Sequence, residues 1–264
     1  MKFMKLISIS AATMTLVGAL GTTVLAAEEP AVYKSSAGVE FIPNTDPTQP
    51  VDPENPDPTD PVVPIDPTDP EGKPNPGTNG PLSLDYASSL DFGQNKITNS
   101  DQTYYAAAQA FSGGAIAGEF RGNYVQVSDN RGTSAGWTLS LKQEGQFSSA
   151  KANKYKVLEG AQIAFASATA ESNAAGVTPP TVSDFSLVPN ESVVVMQAAE
   201  SAGDGTWVDR FGNAEVMSID GKDVQKNKAI SLAVPGKTPK EATNYVTELT
   251  WTLSDVPAQG TPAE

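Results

Sequence analysis

The chain has 264 residues, enough for one ordinary domain with accessory segments or for two small domains, and it contains no cysteine and no histidine. Those absences exclude a disulfide framework, a thiolate nucleophile, lipid attachment through cysteine, thiolate metal sites, the usual general base and the commonest transition-metal ligand. A formal charge of −14 also excludes tracking of a nucleic-acid phosphate backbone, which needs clustered Lys and Arg.

Residues 1–27 have the layout of a secretory signal peptide. Lys2 and Lys5 give the positive start, Leu6–Leu25 is apolar, and Val24-Leu25-Ala26 leads to cleavage after Ala26 or Ala27. Interruptions at Ser8, Ser10, Gly18 and Gly21 argue against a retained membrane anchor. Cleavage removes two lysines and takes the charge from −14 to −16. No later stretch is long and apolar enough to span a bilayer, so no transmembrane segment is expected in the mature chain. Residues 28–42, with Tyr33, Val39, Phe41 and Ile42, form a short N-terminal tail to which the sequence assigns no role.

Thirteen of the 21 prolines fall in residues 43–81, and Asp57-Pro-Thr-Asp-Pro61 is repeated as Asp66-Pro-Thr-Asp-Pro70. Proline fixes φ and removes amide donors, so neither helix nor sheet propagates here. Eight acids against one lysine between Asn44 and Pro74 add self-repulsion. The expectation is a disordered, extended Pro/Asp-rich linker on the order of 100 Å long. It lacks the basic flank of a Pro-rich docking ligand and the regular oxygen ligands of a calcium loop.

Residues 82–257 are the expected folded domain, followed by a flexible C-terminus, 258–264. Alternating or β-branched runs recur at Tyr124–Val127, Trp137–Lys142, Tyr155–Val157, Ala161–Phe165, Ser192–Met196, Ala229–Val234 and Tyr245–Leu253. Period two with Val, Thr and Trp is the mark of half-buried antiparallel strands. The fold class is therefore all-β, an antiparallel β-sandwich-like (Greek-key or Ig-like) domain behind the Pro/Asp-rich arm. Thr103–Ala110 alone has helix-like composition, and it is equally compatible with loop or strand.

One tripeptide occurs twice, as Trp137-Thr138-Leu139 and Trp251-Thr252-Leu253, each followed by Ser. On an extended strand Trp and Leu at i and i+2 share a face, so each motif makes one apolar patch. The patches are either core plugs or exposed platforms that stack on sugar rings or apolar peptide; alternation favours the core, since it implies one buried face. Trp251, near the chain end, is expected to be the more exposed of the two. Asp204-Gly-Thr-Trp-Val-Asp209 lacks enough regularly spaced oxygens for calcium and reads as a turn carrying Trp207 into the core or onto a rim. Neither a cofactor nor a metal site is expected.

The two tripeptides, together with Leu90-Asp-Phe-Gly93, Val125–Gly132 ahead of the first motif, Gly203–Trp207 and Phe211-Gly212, resemble the WxL-domain surface proteins of low-GC Gram-positive bacteria. The resemblance covers most of 82–257, and the leader and Pro-rich stretch match the layout of small members. It implies an extracellular protein held non-covalently on peptidoglycan at the cell wall. Both motifs (Trp137, Thr138, Leu139, Trp251, Thr252, Leu253) would contribute, with companion membrane- or wall-anchored surface proteins in the assembly. Val256–Glu264 has neither an apolar tail nor a basic end, which fits non-covalent retention.

Two other classes stay open. A wall hydrolase built on two carboxylates needs neither His nor Cys, and acids such as Asp184, Glu191, Glu200, Asp204, Asp209, Glu215 and Glu248 are present. None sits in a motif that fixes a carboxyl–carboxyl separation, so no enzyme is expected. The domain is alternatively a protein-binding module that docks a companion or host protein, with wall contact secondary.

Overall fold

Every regular element among the described residues is a β-strand. The computed structural model of the chain describes residues 31–257; the signal-peptide reading of 1–27, the first residues of the tail and the 258–264 terminus lie outside them. The chain divides into two compact units, Met1–Glu40 and Phe41–Glu264. In the first, residues 31–40 are exposed and carry no strand. The second holds β1 (Val63–Pro64), β2 (Leu82–Ala87), β3 (Gln102–Ala107), β4 (Gln109–Gly113), β5 (Phe120–Arg121), β6 (Asn123–Asp129), β7 (Trp137–Gln143) and β8 (Gln162–Phe165). There follow β9 (Ala168–Glu171), β10 (Thr181–Val182), β11 (Phe185–Ser186), β12 (Ser192–Ala198), β13 (Gly205–Phe211), β14 (Glu215–Ile219), β15 (Lys222–Val234) and β16 (Leu249–Ser254).

The strands pair antiparallel in four sheets: β1-β4-β5; β10-β12-β7-β16; β11-β8-β15-β14, with β3 also on β15; and β2-β6-β13-β9. The all-β antiparallel expectation holds, but the two-layer sandwich gives way to four small sheets, closer in number to the blades of a small propeller. The reason lies in β6. A strand of a solvated sandwich keeps one wet face, whereas all seven residues of β6 are buried. Val125 and Val127 belong to one core with Trp137, Leu139 and Trp207; Tyr124 belongs to another with Tyr86, Phe111 and Val208. Strand β7 also serves two partners, because its inward row places Trp137 and Leu139 in the first of these cores and Leu141 in a third, with Ile163 and Ile230.

The expected extended arm is corrected by the same observation. Val51 and Val62 are 0% and 4% exposed and help build the core on the outer face of β6. The Val51 amide donates to Gln126 Oε1 at 2.9 Å, and Gln126 Nε2 donates to the Gln49 carbonyl at 3.0 Å. The Arg121 guanidinium lies 3.3 Å from Asp52, 3.2 Å from Glu54 and 2.7 Å from Glu119. Asp57 and Asp66 each accept the amide and hydroxyl of the threonine two residues on, so the repeated Asp-Pro-Thr units are Asx-type turns. Proline does prevent long strands here, as expected. It does not prevent turns from bringing the intervening valines onto an uncovered sheet face.

Two smaller readings resolve likewise. Thr103–Ala110 falls in β3 and β4 rather than a helix. The supposed turn around Trp207 is β13, a central strand paired with both β6 and β9.

Candidate binding groove

The two tripeptides lie on neighbouring strands. Strand β16 runs antiparallel to β7, with Leu253 opposite Leu139 and Trp251 opposite Leu141. Strand β7 is flanked on both sides, by β12 and β16, whereas β16 ends its sheet. That placement separates the tryptophans. Trp137 is 0% exposed, and its indole N–H donates to the Gly203 carbonyl at 3.1 Å. Gly203 has φ +73°, and a Cβ there would lie 2.9 Å from the Trp137 indole nitrogen, so only glycine fits beside the ring. Leu139 is also fully buried. Trp251 is half-buried and packs against two cores at once; Leu253 is half-buried against one of them. Thr138 Oγ1 donates to the Val256 carbonyl at 2.9 Å, fastening the segment after β16, and Thr252 faces solvent. The expectation that Trp251 is the more exposed tryptophan holds. Of the two positions left open for Trp207, core or rim, the structure places it in the core: it is 4% exposed, with its indole N–H on the Asp204 carbonyl at 3.0 Å.

Trp251 opens onto a groove of about 710 Å³. One wall is the extended run that leads into β16, where Tyr245, Leu249 and Trp251 point inward and Asn244 and Glu248 lie on the exposed side. The floor is the mouth of the core containing Phe147, Ile163 and Leu232. Leu90–Gly93, with Phe92 half-buried, and Asn95–Ile97 also line the groove, together with Tyr104. Pro67 and Thr68, from the second Asp-Pro-Thr turn, reach the rim. The lining mixes aromatic and aliphatic side chains with polar ones in comparable measure, a concave surface suited to a ligand that presents both apolar faces and hydrogen-bonding groups.

The Tyr245 wall is held by a clasp. The Glu241 carboxylate accepts the amides of Asn153 at 2.9 Å, Lys154 at 2.6 Å and Tyr155 at 2.8 Å. Those backbone donors hold its pKa down at about 2. The Tyr245 hydroxyl accepts the Glu241 amide at 3.1 Å and donates to the Tyr155 carbonyl. Charge in the groove is low and largely committed. Lys96 is paired with Asp220 at 2.8 Å, and Lys240 Nζ donates to the Thr98 carbonyl at 3.1 Å. The acids on the lining are Asp91, Glu241 and Glu248.

Of the carboxylates considered for hydrolysis, only Glu248 lines this groove. Glu215 pairs with Lys228 at 2.6 Å, and Asp184 accepts the Ala168 amide at 3.0 Å. Asp209 lies within β13, 0% exposed, and neither carboxyl oxygen has a hydrogen-bond partner of acceptable geometry. Burial pushes its pKa up to about 8; the nearby Thr169 amide opposes this and the Asp184 charge adds to it. Asp85 is also buried and shifted upward by burial, but Ser83, Ser128 and Gln126 all donate to it. Among the described residues no three His, Cys, Asp or Glu side chains cluster as a cation site.

Sequence reasoning marks Trp251 and Tyr245, through their alternation, and Phe92, through the Leu90–Gly93 stretch. It gives no role to Tyr104, Phe147 or the Glu241 clasp, whose partners lie far apart in sequence. A family model described as "WxL domain surface cell wall-binding" matches residues 28–257. That span takes in the Pro/Asp-rich segment. No curated protein and no solved structure matches the chain.

Proposed function

Since the chain belongs to the WxL-domain family of surface cell-wall-binding proteins, we propose that it is a secreted protein held non-covalently on Gram-positive peptidoglycan through the groove beside Trp251. The observation that carries this reading is the asymmetry of the two motifs. Trp137 has no surface to offer a ligand, whereas Trp251 shares its ring between two cores and an open aromatic groove. The first motif then acts indirectly, by fixing the sheet on which the second is displayed. Binding without cleavage is the simpler reading of the lining, since Glu241, one of its three acids, is consumed by three backbone amides.

The test is pelleting of the mature protein with purified, protein-free Gram-positive walls. Intact protein should sediment with them, and Tyr245→Ala plus Trp251→Ala should not, while far-UV circular dichroism stays that of the parent. Intact protein left in the supernatant overturns the reading.

A second reading, docking of a companion surface protein, is favoured by β14. That strand ends its sheet and exposes Val216 at 61% and Ile219 at 41%. An unpaired edge with apolar side chains accepts an added strand from another chain. Replacing Val216 and Ile219 by lysine should abolish complex formation with such a companion and leave wall pelleting intact; unchanged complex formation would remove β14 from the account.

A further inference from the structure

Resting on the wall-binding reading, we infer that the groove takes the glycan strand of the wall, an uncharged chain of N-acetylated hexosamines, and not the charged stem peptide. Three observations select the sugar. The first is the inward row Tyr245, Leu249 and Trp251 on one extended run. Tyr245 and Trp251 are six residues apart, roughly 20 Å along a strand. That is a platform for successive rings of a linear polymer, whose C–H faces pack on aromatic faces as other apolar groups do.

The second is charge. A stem peptide brings carboxylates and an amine that need desolvated counter-charges. The two groove lysines are already engaged, Lys96 with Asp220 and Lys240 with the Thr98 carbonyl, so the carboxylates of a stem peptide find no free cation and face the acids Asp91 and Glu248 instead. An uncharged ligand meets no such deficit. The third is the supply of polar groups. The side chains of Asn75 and Asn244 are exposed on the lining. A primary amide offers two donors and an acceptor, which suits hydroxyl and acetamido groups that present both kinds of partner.

The chain carries its own reporter. It has three tryptophans; Trp137 and Trp207 are 0% and 4% exposed, so Trp251 alone meets solvent. Titration of the full mature protein with a β-1,4-linked N-acetylglucosamine pentamer should blue-shift the emission and shield it from iodide, and the pentamer should displace the protein from walls. Tyr245→Ala should weaken binding about tenfold, the loss of one stacking contact. Asn244→Ala, at an exposed position where misfolding is not an issue, should weaken it severalfold.

Two controls separate this inference from the reading beneath it. If the protein sediments with walls but only a synthetic stem pentapeptide displaces it, or neither probe does, the glycan assignment falls and wall binding stands. If the pentamer binds at Trp251 but walls do not retain the protein, the glycan site stands and wall attachment falls. Unchanged emission and quenching at millimolar pentamer overturn the inference directly.

Discussion

Asp209 gives the most quantitative handle on this fold. Its carboxyl is fully buried between β6 and β9 without a hydrogen-bond partner, and burial holds its proton to about pH 8 against an ordinary value of 3.8. A raised folded-state pKa means that the native state binds one more proton than the unfolded state throughout that interval. The associated stability is complete below the ordinary pKa and is lost as pH rises toward 8. At about 1.4 kcal/mol per pH unit, raising pH from about 5 to about 8.5 removes roughly 4 kcal/mol. Local relaxation and water entry reduce that figure, so roughly 2–4 kcal/mol is expected. Asp209→Asn keeps the shape and removes the titration. Urea unfolding across this range should show wild-type stability falling with pH while the variant stays nearly flat and becomes the more stable of the two at the alkaline end. The absence of histidine removes the usual competing titration in the window. Asp85, also shifted upward, is the background to subtract through its own Asn variant. Wild-type and Asp209→Asn curves that run parallel would refute the assignment of a neutral buried acid.

The other predictions concern packing. Trp137→Ala, at a fully buried site, should cost about 3–5 kcal/mol, and Trp251→Ala, half-buried at a sheet edge, about 1–2 kcal/mol; denaturant midpoints at constant slope read both. Gly203→Ala combines a left-handed φ of +73° with a Cβ placed 2.5 Å from the Ala198 Cβ, and should cost roughly 2–4 kcal/mol, visible as a lowered Tm. Val51→Ala, in the Pro/Asp-rich segment, should cost about 2 kcal/mol because the side chain is 0% exposed. A free arm would give no change, so a null result there would undo the packing of that segment onto β6.

The strands most legible in the sequence are those with one buried and one wet face, such as Trp137–Lys142, where alternation reports burial directly. The strands that escape are those without such a face. Gly205–Phe211 is buried nearly throughout, with Asp209 inside it, so its pattern looks like a polar turn containing one Trp. The Pro/Asp-rich segment misleads for a different reason. Its composition reports correctly that no long strand forms, but composition is blind to a sheet face elsewhere that needs covering. Val51 and Val62 are two apolar residues among many prolines and acids, and only the presence of Phe111 and Tyr124 across from them gives them a place to go. The groove is half legible. Its Tyr245–Trp251 wall is local and periodic, while its floor and the rest of its lining are assembled from segments that only sheet pairing brings together.

The repeated tripeptide shows where such legibility ends. Trp137-Thr-Leu139 and Trp251-Thr-Leu253 are identical in sequence and adjacent in space, yet their environments differ because β7 has a strand on each side and β16 has one. A central position encloses the ring and demands a partner for its N–H, which Gly203 supplies. An edge position leaves part of the ring uncovered, and that uncovered part is where a ligand can gain contact without first breaking the core. Strand order, which the tripeptide does not encode, therefore decides which copy serves stability and which is free to serve binding. The two functions remain coupled, because the edge strand takes its position from the central one through the Leu253–Leu139 and Trp251–Leu141 register. Damage to the first motif should thus abolish wall retention by misplacing the second, with loss of fold as its signature, whereas damage to the second at the groove surface should abolish retention while the fold persists.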